Sequence, residues 1–550
     1  MLASDGTLTY GPPETYTNTG VDFTEPAVSG DTAPDANAAT WATFEDPILN
    51  NADGVAFSAM LKIGSGTTTG TGTVKSSNDI GVWADDADGN LAVVARTGTG
   101  SQGCGSPGIA SSFINFGSPI YNDSGEVAFS ALVATVSGTV TASNDEGIWQ
   151  YEPGSGTFTG SLVARLDSQA ANLDGVKFSS FTDVGLTQTA GTVIFAGLSG
   201  TGVTASNDFA ILEGNSSADL AVKIRLGDAI TYSTGTSTGT KTIKEVTYLS
   251  EQYLAASQTR NFNASGDLAV SALFTDGTTG LVKEANGTES IATLKGQPAP
   301  GINGATLAAF GVPAINNSGN LAFGATLTTG VGGVTNATDT GLFAQDGNGT
   351  LQNIAQTGIA GQAPLELPGQ GSDTDSFFAF SDPVYNNNNA VAFAAVLNKV
   401  TGLVDATNEI GLYCTSSGTL QLVARNGEQA PGCPPGAVFS SFTTYALPDV
   451  NGPNNHGGLV FIGQLQSNSA VGITESNDTG MWAVDRNNNL QLILRVGDFI
   501  NGKNVIGLNF LPYLAASDGQ TRGVANGTGD LVALVTLSDK TSLILNVVYP

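Results

Sequence analysis

The sequence predicts an all-β chain, an eight-bladed β-propeller made from a duplicated four-blade block with four antiparallel strands per blade. Three observations predict it. A motif of the form Phe-x-x-Pro-x-x-Asn-x-x-Gly-x-x-Ala-Phe recurs in eight segments, most plainly as FGSPIYNDSGEVAF at 116–129 and FGVPAINNSGNLAF at 310–323. The composition suits many short strands and turns, with 40% hydrophobic residues, 12% charged residues and 72 glycines dispersed among Thr, Ser and Asn. No segment sustains a 3.6-residue apolar period, so little helix is expected.

Each copy supplies its strands in a fixed order. The first strand enters through Phe-x-x-Pro. A turn follows whose Gly position is taken by Asp53, Gly125, Gly191, Gly266, Gly319, Asn389, Gly457 and Gly529, all residue types that tolerate positive φ. The second strand is short and apolar with interleaved small residues, as in VAFSAML from Val55 and VAFAAVL from Val391, which suits a strand held closely between neighbouring sheets. After a variable Gly/Thr/Ser-rich loop, the third strand opens on Gly-Val-Trp at 81–83, Gly-Ile-Trp at 147–149, Gly-Leu-Phe at 341–343, Gly-Leu-Tyr at 411–413 or Gly-Met-Trp at 480–482. A tight turn such as DADGN at 86–90 leads to the fourth strand, LAVVAR at 91–96 or LQLVAR at 420–425. Four such strands make a propeller blade.

The turn positions of blades one to four, at 53, 125, 191 and 266, map onto those of blades five to eight, at 319, 389, 457 and 529, at nearly constant offset. A four-blade block has been duplicated. YLAASQTR at 253–260 returns as YLAASDGQTR at 513–522, and RLGDAI at 225–230 as RVGDFI at 495–500. Residues 1–550 thus read as one domain, with related halves in 44–270 and 310–550. The chain ends on the third strand of blade eight, SLILNVVYP, and residues 1–43 are expected to supply the closing strand and a linker. DGTLTY at 5–10 is the expected strand, paired with 542–548, which would remove both free edges.

With 48 acidic against 19 basic residues the formal charge is −29, which repels nucleic-acid phosphates and anionic lipid headgroups. Nucleic-acid partners and membrane insertion are not expected. Cys104, Cys414 and Cys433 form neither a metal-ligand spacing nor a disulfide framework. A Cys414–Cys433 bridge is weighed against free thiols, and neither reveals the compartment. MLASDGTLTYGPPETY has no basic or apolar leader segment. If the protein is exported, the signal peptide is expected to lie outside this chain.

Six blades carry an acid just before the third strand: Asp79, Asp145, Asp208, Asp339, Glu409 and Asp478. Such a ring raises calcium. Five blades end the fourth strand on Arg96, Arg165, Arg225, Arg425 and Arg495, and reflection through the intervening turn sets Asp79 against Arg96, Asp145 against Arg165, Asp208 against Arg225, Glu409 against Arg425 and Asp478 against Arg495. Structural cross-strand pairs are therefore expected, with no cofactor, calcium being the lesser alternative. DADGN at 86–90 and DRNNN at 485–489 lack the bidentate Glu of a calcium loop and read as hairpin turns. His456 is the lone histidine and is expected in a solvated turn, so no catalytic set is nominated. Trp83, Trp149, Tyr413 and Trp482 could stack on sugars, yet their recurrence at one structural position favours packing between blades.

NDSGEVAF at 122–129 and NNSGNLAF at 316–323 carry a resemblance to the bacterial NxxGxxAF tandem-repeat proteins of choice-of-anchor type, over nearly the whole chain. Blades three and eight depart most, with Gln188 and Val532 in place of the Asn and the Ala. The repeat is also similar in logic to TolB-like propellers. The first resemblance implies an exported, extracellular or cell-surface protein, and many such proteins carry a C-terminal anchor, which the ending Tyr549-Pro550 does not match. The function expected is a non-enzymatic structural protein, possible as a homo-oligomer or filament through exchange of the terminal strand. The alternatives are a propeller binding a glycan, peptide or cell-surface partner through loops 62–78, 131–143, 325–338 and 463–475, and a carboxylate-dependent enzyme.

Overall fold

The structure is a computed structural model. It describes all residues except 1–8, 11–15, 18–21, 67–72, 100–102, 190, 235–236, 249–260, 364–374, 416–417, 449–457, 486, 510–529 and 549–550. His456 and the turn glycines Gly457 and Gly529 lie outside the described residues.

Eight antiparallel sheets follow one another along the chain as the blades of a β-propeller. Blade 2 shows the pattern: a first strand in two pieces (Phe113–Phe116 and Ile120–Tyr121), a second (Val127–Val133), a third (Glu146–Gly154) and a fourth (Thr157–Arg165). The break falls at Gly117-Ser118-Pro119, where proline cannot donate to the ladder. First strands of neighbouring blades approach one another and so lie nearest the axis. The ring has two ends: the Asn-x-x-Gly turns occupy one, and the loops between second and third strands occupy the other.

The chain closes the ring itself, but not with the expected segment. Asp22–Val28 pairs antiparallel with Ser542–Val548 and is the fourth strand of blade 8. Thr9–Tyr10 pairs instead with Tyr16–Thr17 and, through Thr9, with Phe499. The segment 22–28 meets the strand requirement with alternating Phe23 and Ala27 buried against the sheet, a pattern that Pro26 obscures in the sequence. Proline is tolerated there because the strand lies at a sheet edge and its ladder skips Glu25 and Pro26.

The core lies between blades. One cluster joins Ile48, Ala56, Val82 and Ala84 of blade 1 to Phe113, Phe129 and Trp149 of blade 2. The Gly-x-aromatic start of the third strand has a steric cause, since a Cβ on Gly147 would stand 2.8 Å from the Trp149 ring. Trp83, Trp149, Tyr413 and Trp482 are fully buried, so no sugar can stack on them. Each indole Nε1 donates to a proline carbonyl in the connection entering its blade: Trp83 to Pro34 (3.1 Å), Trp149 to Pro107 (2.9 Å) and Trp482 to Pro431 (3.0 Å).

Candidate functional site: the two ends of the ring

At the turn end the motif asparagine is a connector. Asn122 is fully buried, and its Oδ1 accepts from the backbone N–H groups of Ser124 (3.1 Å) and Glu126 (2.9 Å). The turn glycine position has positive φ as expected, at 64° for Asp53, 79° for Gly125, 74° for Gly319 and 60° for Asn389. The asparagine Nδ2 reaches the next blade. Asn50 donates to the Asn122 carbonyl (3.0 Å), Asn122 to Thr187 (2.9 Å), Asn263 to Asn316 (3.1 Å), Asn316 to Asn386 (3.3 Å) and Asn386 to Pro448 (3.1 Å). A second chain of bonds runs beside the first, from the N–H of Asn51 to Asp123 Oδ1 (2.8 Å), of Ala264 to Asn317 Oδ1 (2.9 Å) and of Asn317 to Asn387 Oδ1 (2.8 Å). Because both partners in the first chain are buried, losing one strands the other without water.

Blade 3 holds the annulus differently. Thr187, not Gln188, occupies the asparagine place: its Oγ1 accepts from Gly191 N–H (2.9 Å), as Asn122 Oδ1 accepts from Glu126. One extra residue before the second strand shifts the alignment. Threonine has no amide to pass onward, and the backbone N–H of Gln188 donates to Ala264 O (3.0 Å) instead. Buried charge also gathers at this end. Lys223 Nζ bridges Glu213 (3.1 Å) of blade 3 and Glu284 (2.8 Å) of blade 4. Burial pushes the Glu213 carboxyl up to about 6 against the pull of Lys223, and pushes Asp85 up to about 6 against the Val55 N–H it accepts.

The acid–arginine pairs are offset from the expected register. The fourth strand bulges beside the third in each blade, as between Val82 and Trp83, so Arg96 stands opposite Gly81, Arg165 opposite Gly147, Arg225 opposite Ala210, Arg425 opposite Gly411 and Arg495 opposite Gly480. None of the five couples to Asp79, Asp145, Asp208, Glu409 or Asp478 as an ion pair among the described residues, and Glu409 pairs with Lys399 at 3.2 Å. In four of the five the arginine Nε donates instead to the carbonyl before the acid: Arg96 to Asn78 (2.9 Å), Arg165 to Asn144 (2.7 Å), Arg225 to Asn207 (3.1 Å) and Arg425 to Asn408. In blade 5, Gln356 Nε2 makes the same bond to Thr338 (2.7 Å). The acid extends the ladder by its backbone, with Asp79 O accepting from Leu61 N–H and Asp478 O from Leu465 N–H.

The loops expected to vary also end on a shared device. Asn144, Asn207, Asn408 and Asn477 each accept through Oδ1 from the backbone N–H three residues back, and Val140, Val334, Val404 and Ile473 of these loops are buried. Sequence reasoning also missed the connection between blades, in which Ala33, Ala170, Ala299, Ala363 and Ala430 are buried. Ala-Pro three residues after a glycine, recurring at 33–34, 299–300 and 430–431, is the signal that could have found it.

The loop end carries a feature with no sequence signature. In every blade the first strand bulges against the second near this end. The extra residues are Ala42, Ile114, Ser179, Lys244, Ala308, Phe378, Ser440 and Ile506. Bulges re-aim side chains at rims, and here they expose Phe378 (67%), Ile114 (51%) and Ile506 (43%). Eight of the nine exposed large hydrophobics among the described residues lie at this end, the exception being Val548. Further along the same first strands, Glu45, Asp46, Ser118 and Pro119 join Leu534 around a cavity of about 350 Å³. Asn509 Nδ2 of blade 8 donates to both Asp46 oxygens (2.7 and 2.8 Å), and burial raises the carboxyls of Asp46 and Asp382 above the ordinary range. A Cβ on Gly311 would stand 2.5 Å from Asp382 Oδ1, so glycine there makes room for the carboxylate.

Cys104, Cys414 and Cys433 are free thiols. Among the described residues no group of three or more His, Cys, Asp or Glu is placed to hold a metal ion, and no helix is long and apolar enough to cross a membrane.

Among solved structures the chain is similar to the Dos1 propeller (8% identity, 98% of this chain and 96% of that one, TM-score 0.35). It is similar also to the WD40 domain of SCAP from fission yeast (8% identity, 98% of each chain, TM-score 0.33), and to PorZ, a bacterial surface component of the type-IX secretion system of Porphyromonas gingivalis (11% identity, 98% of this chain and 73% of that one, TM-score 0.25). Among curated proteins no sequence matches. A family profile does match, in three consecutive stretches at 16–285, 280–362 and 361–545, and the chain therefore belongs to the family of unknown function DUF7453.

Proposed function

We propose that the protein is a non-enzymatic scaffold of an exported or cell-surface setting, and that it binds a partner through the loop end of its ring. The observation that carries this reading is the unequal distribution of exposed apolar side chains between the ends. Repeat asparagines are engaged in holding neighbouring blades together and repeat arginines in tying the loop of their own blade, whereas Phe378, Ile114 and Ile506 are lifted into solvent by bulges. Exposed apolar groups gathered at one end support a docking role. The acidic excess and the repeat resemblance support the exported setting.

Binding of an environment-sensitive naphthalenesulfonate dye tests the reading. Ile114→Ser, Phe378→Ser and Ile506→Ser together are expected to abolish most of the dye signal, and Val548→Ser to leave it intact. Equal signals would refute a loop-end surface. Assembly into filaments is a second arrangement, and it requires the strand 22–28 to leave its own blade for a neighbour's. Light scattering decides it: a sealed ring gives the 55.6 kDa mass of one chain, and strand exchange gives a ladder of multiples.

A further inference from the structure

We infer that the rim of bulges at the loop end docks a segment of a partner polypeptide that carries both cationic and apolar side chains. The inference rests on the loop-end reading above and adds the chemistry of the partner. Three facts about the rim and the strands beneath it carry it.

The first is apolar. Ile114 in blade 2 and Phe378 in blade 6 are four blades apart, on opposite sides of an eight-bladed ring, and both are more than half exposed. A segment lying across the mouth meets both and removes their apolar surface from water. The second is electrostatic. Glu45, Asp46, Asp183 and Asp382 lie on the first strands beyond the rim, in a chain of net charge −29. Lys244 is the one cation among the eight bulge residues, and Glu245 neutralises it at 3.1 Å. Cationic side chains reaching past the apolar rim therefore enter a field of their opposite sign.

The third is exclusion. A second copy of the chain brings the same negative charge and is repelled, as is an anionic lipid surface. A glycan is held chiefly by hydrogen-bonding side chains, and the exposed rim residues Ile114, Phe378 and Ile506 carry none. A polypeptide with lysine or arginine beside leucine-like side chains satisfies the apolar and the acidic features together.

The test uses the full chain and a labelled 14-residue peptide of alternating Lys and Leu, followed by fluorescence anisotropy at low and physiological salt. Binding is expected to weaken at least tenfold in Ile114→Ser/Phe378→Ser and, separately, in Asp46→Asn/Asp382→Asn, and to be unchanged in Val548→Ser. Phe378→Lys, which places a cation on the rim, is expected to weaken it without disturbing the fold. Four outcomes overturn the inference: no binding; equal binding by the rim variants; equal binding of a Lys/Ser peptide, which means charge alone; and equal binding of a Glu/Leu peptide or of phosphatidylserine vesicles. Loss of the dye signal's dependence on the rim would instead overturn the loop-end reading on which the inference rests, so the two failures are distinguishable.

Discussion

The two ends of the ring employ the same repeat for opposite purposes. At the turn end a buried asparagine in each regular blade accepts twice from its own turn and donates once to the next blade. At the loop end one bulge per blade interrupts the first ladder and presents a residue that differs from blade to blade. The first arrangement needs one residue type, and the repeat keeps it. The second needs only backbone geometry, so the displayed side chain is free to change. The ring is rigid where it is uniform and varied where it is exposed.

The largest effect should follow from breaking the turn end. Asn122→Leu removes the side-chain acceptor of the Ser124 and half-buried Glu126 N–H groups and the amide that donates to the buried Thr187 carbonyl. At roughly 1–3 kcal/mol for each stranded group, a loss of about 3–5 kcal/mol in urea unfolding is expected. Gly147→Ala should come next, at about 1–3 kcal/mol, because the new Cβ collides with the Trp149 ring in a packed core. Phe378→Ser at the loop end should change stability by less than about 0.5 kcal/mol. A loop-end change as costly as Asn122→Leu would erase the contrast.

Acidity sharpens the comparison further. Asp85 and Glu213, both at the turn end, have ordinary values of 3.8 and 4.5 and are pushed up to about 6 in the folded chain. Between those values the folded chain holds protons that the unfolded chain has released. Their contribution to stability is therefore full in mild acid and is lost as pH rises from about 4 through about 6. Asp85→Asn keeps an acceptor for the Val55 N–H (2.9 Å) and should flatten the pH dependence of the urea midpoint over that window, by no more than about 2 kcal/mol.

Much of this was legible in the residues. Eight copies of one motif, with turn positions confined to Gly, Asn and Asp, led to the blade count and to the positive φ at Asp53 and Asn389. The buried aromatics followed from their recurrence at one position. The annulus was not legible, because the motif shows that Asn50 and Asn122 recur but not that one amide meets the carbonyl of the other. The arginine register was misread by two residues, one of which is the residue a bulge inserts and symmetric reflection through a turn cannot see. The bulge ring was invisible for a related reason: Ala42, Ile114, Ser179 and Lys244 share no side-chain property. Strand 22–28 was passed over because Pro26 and the charges around it mask its two buried positions, whereas DGTLTY looked like a blade's outer strand.

Amide hydrogen exchange on the native chain tests the central contrast most directly. The N–H groups of Gly54, Glu126, Asn320 and Ala390, which donate to the motif asparagines, should exchange only through global unfolding, and the bulged N–H groups of Ile114 and Phe378 should exchange orders of magnitude faster. If the turn-end amides exchange as fast as the bulges, the asparagine annulus does not hold this ring together.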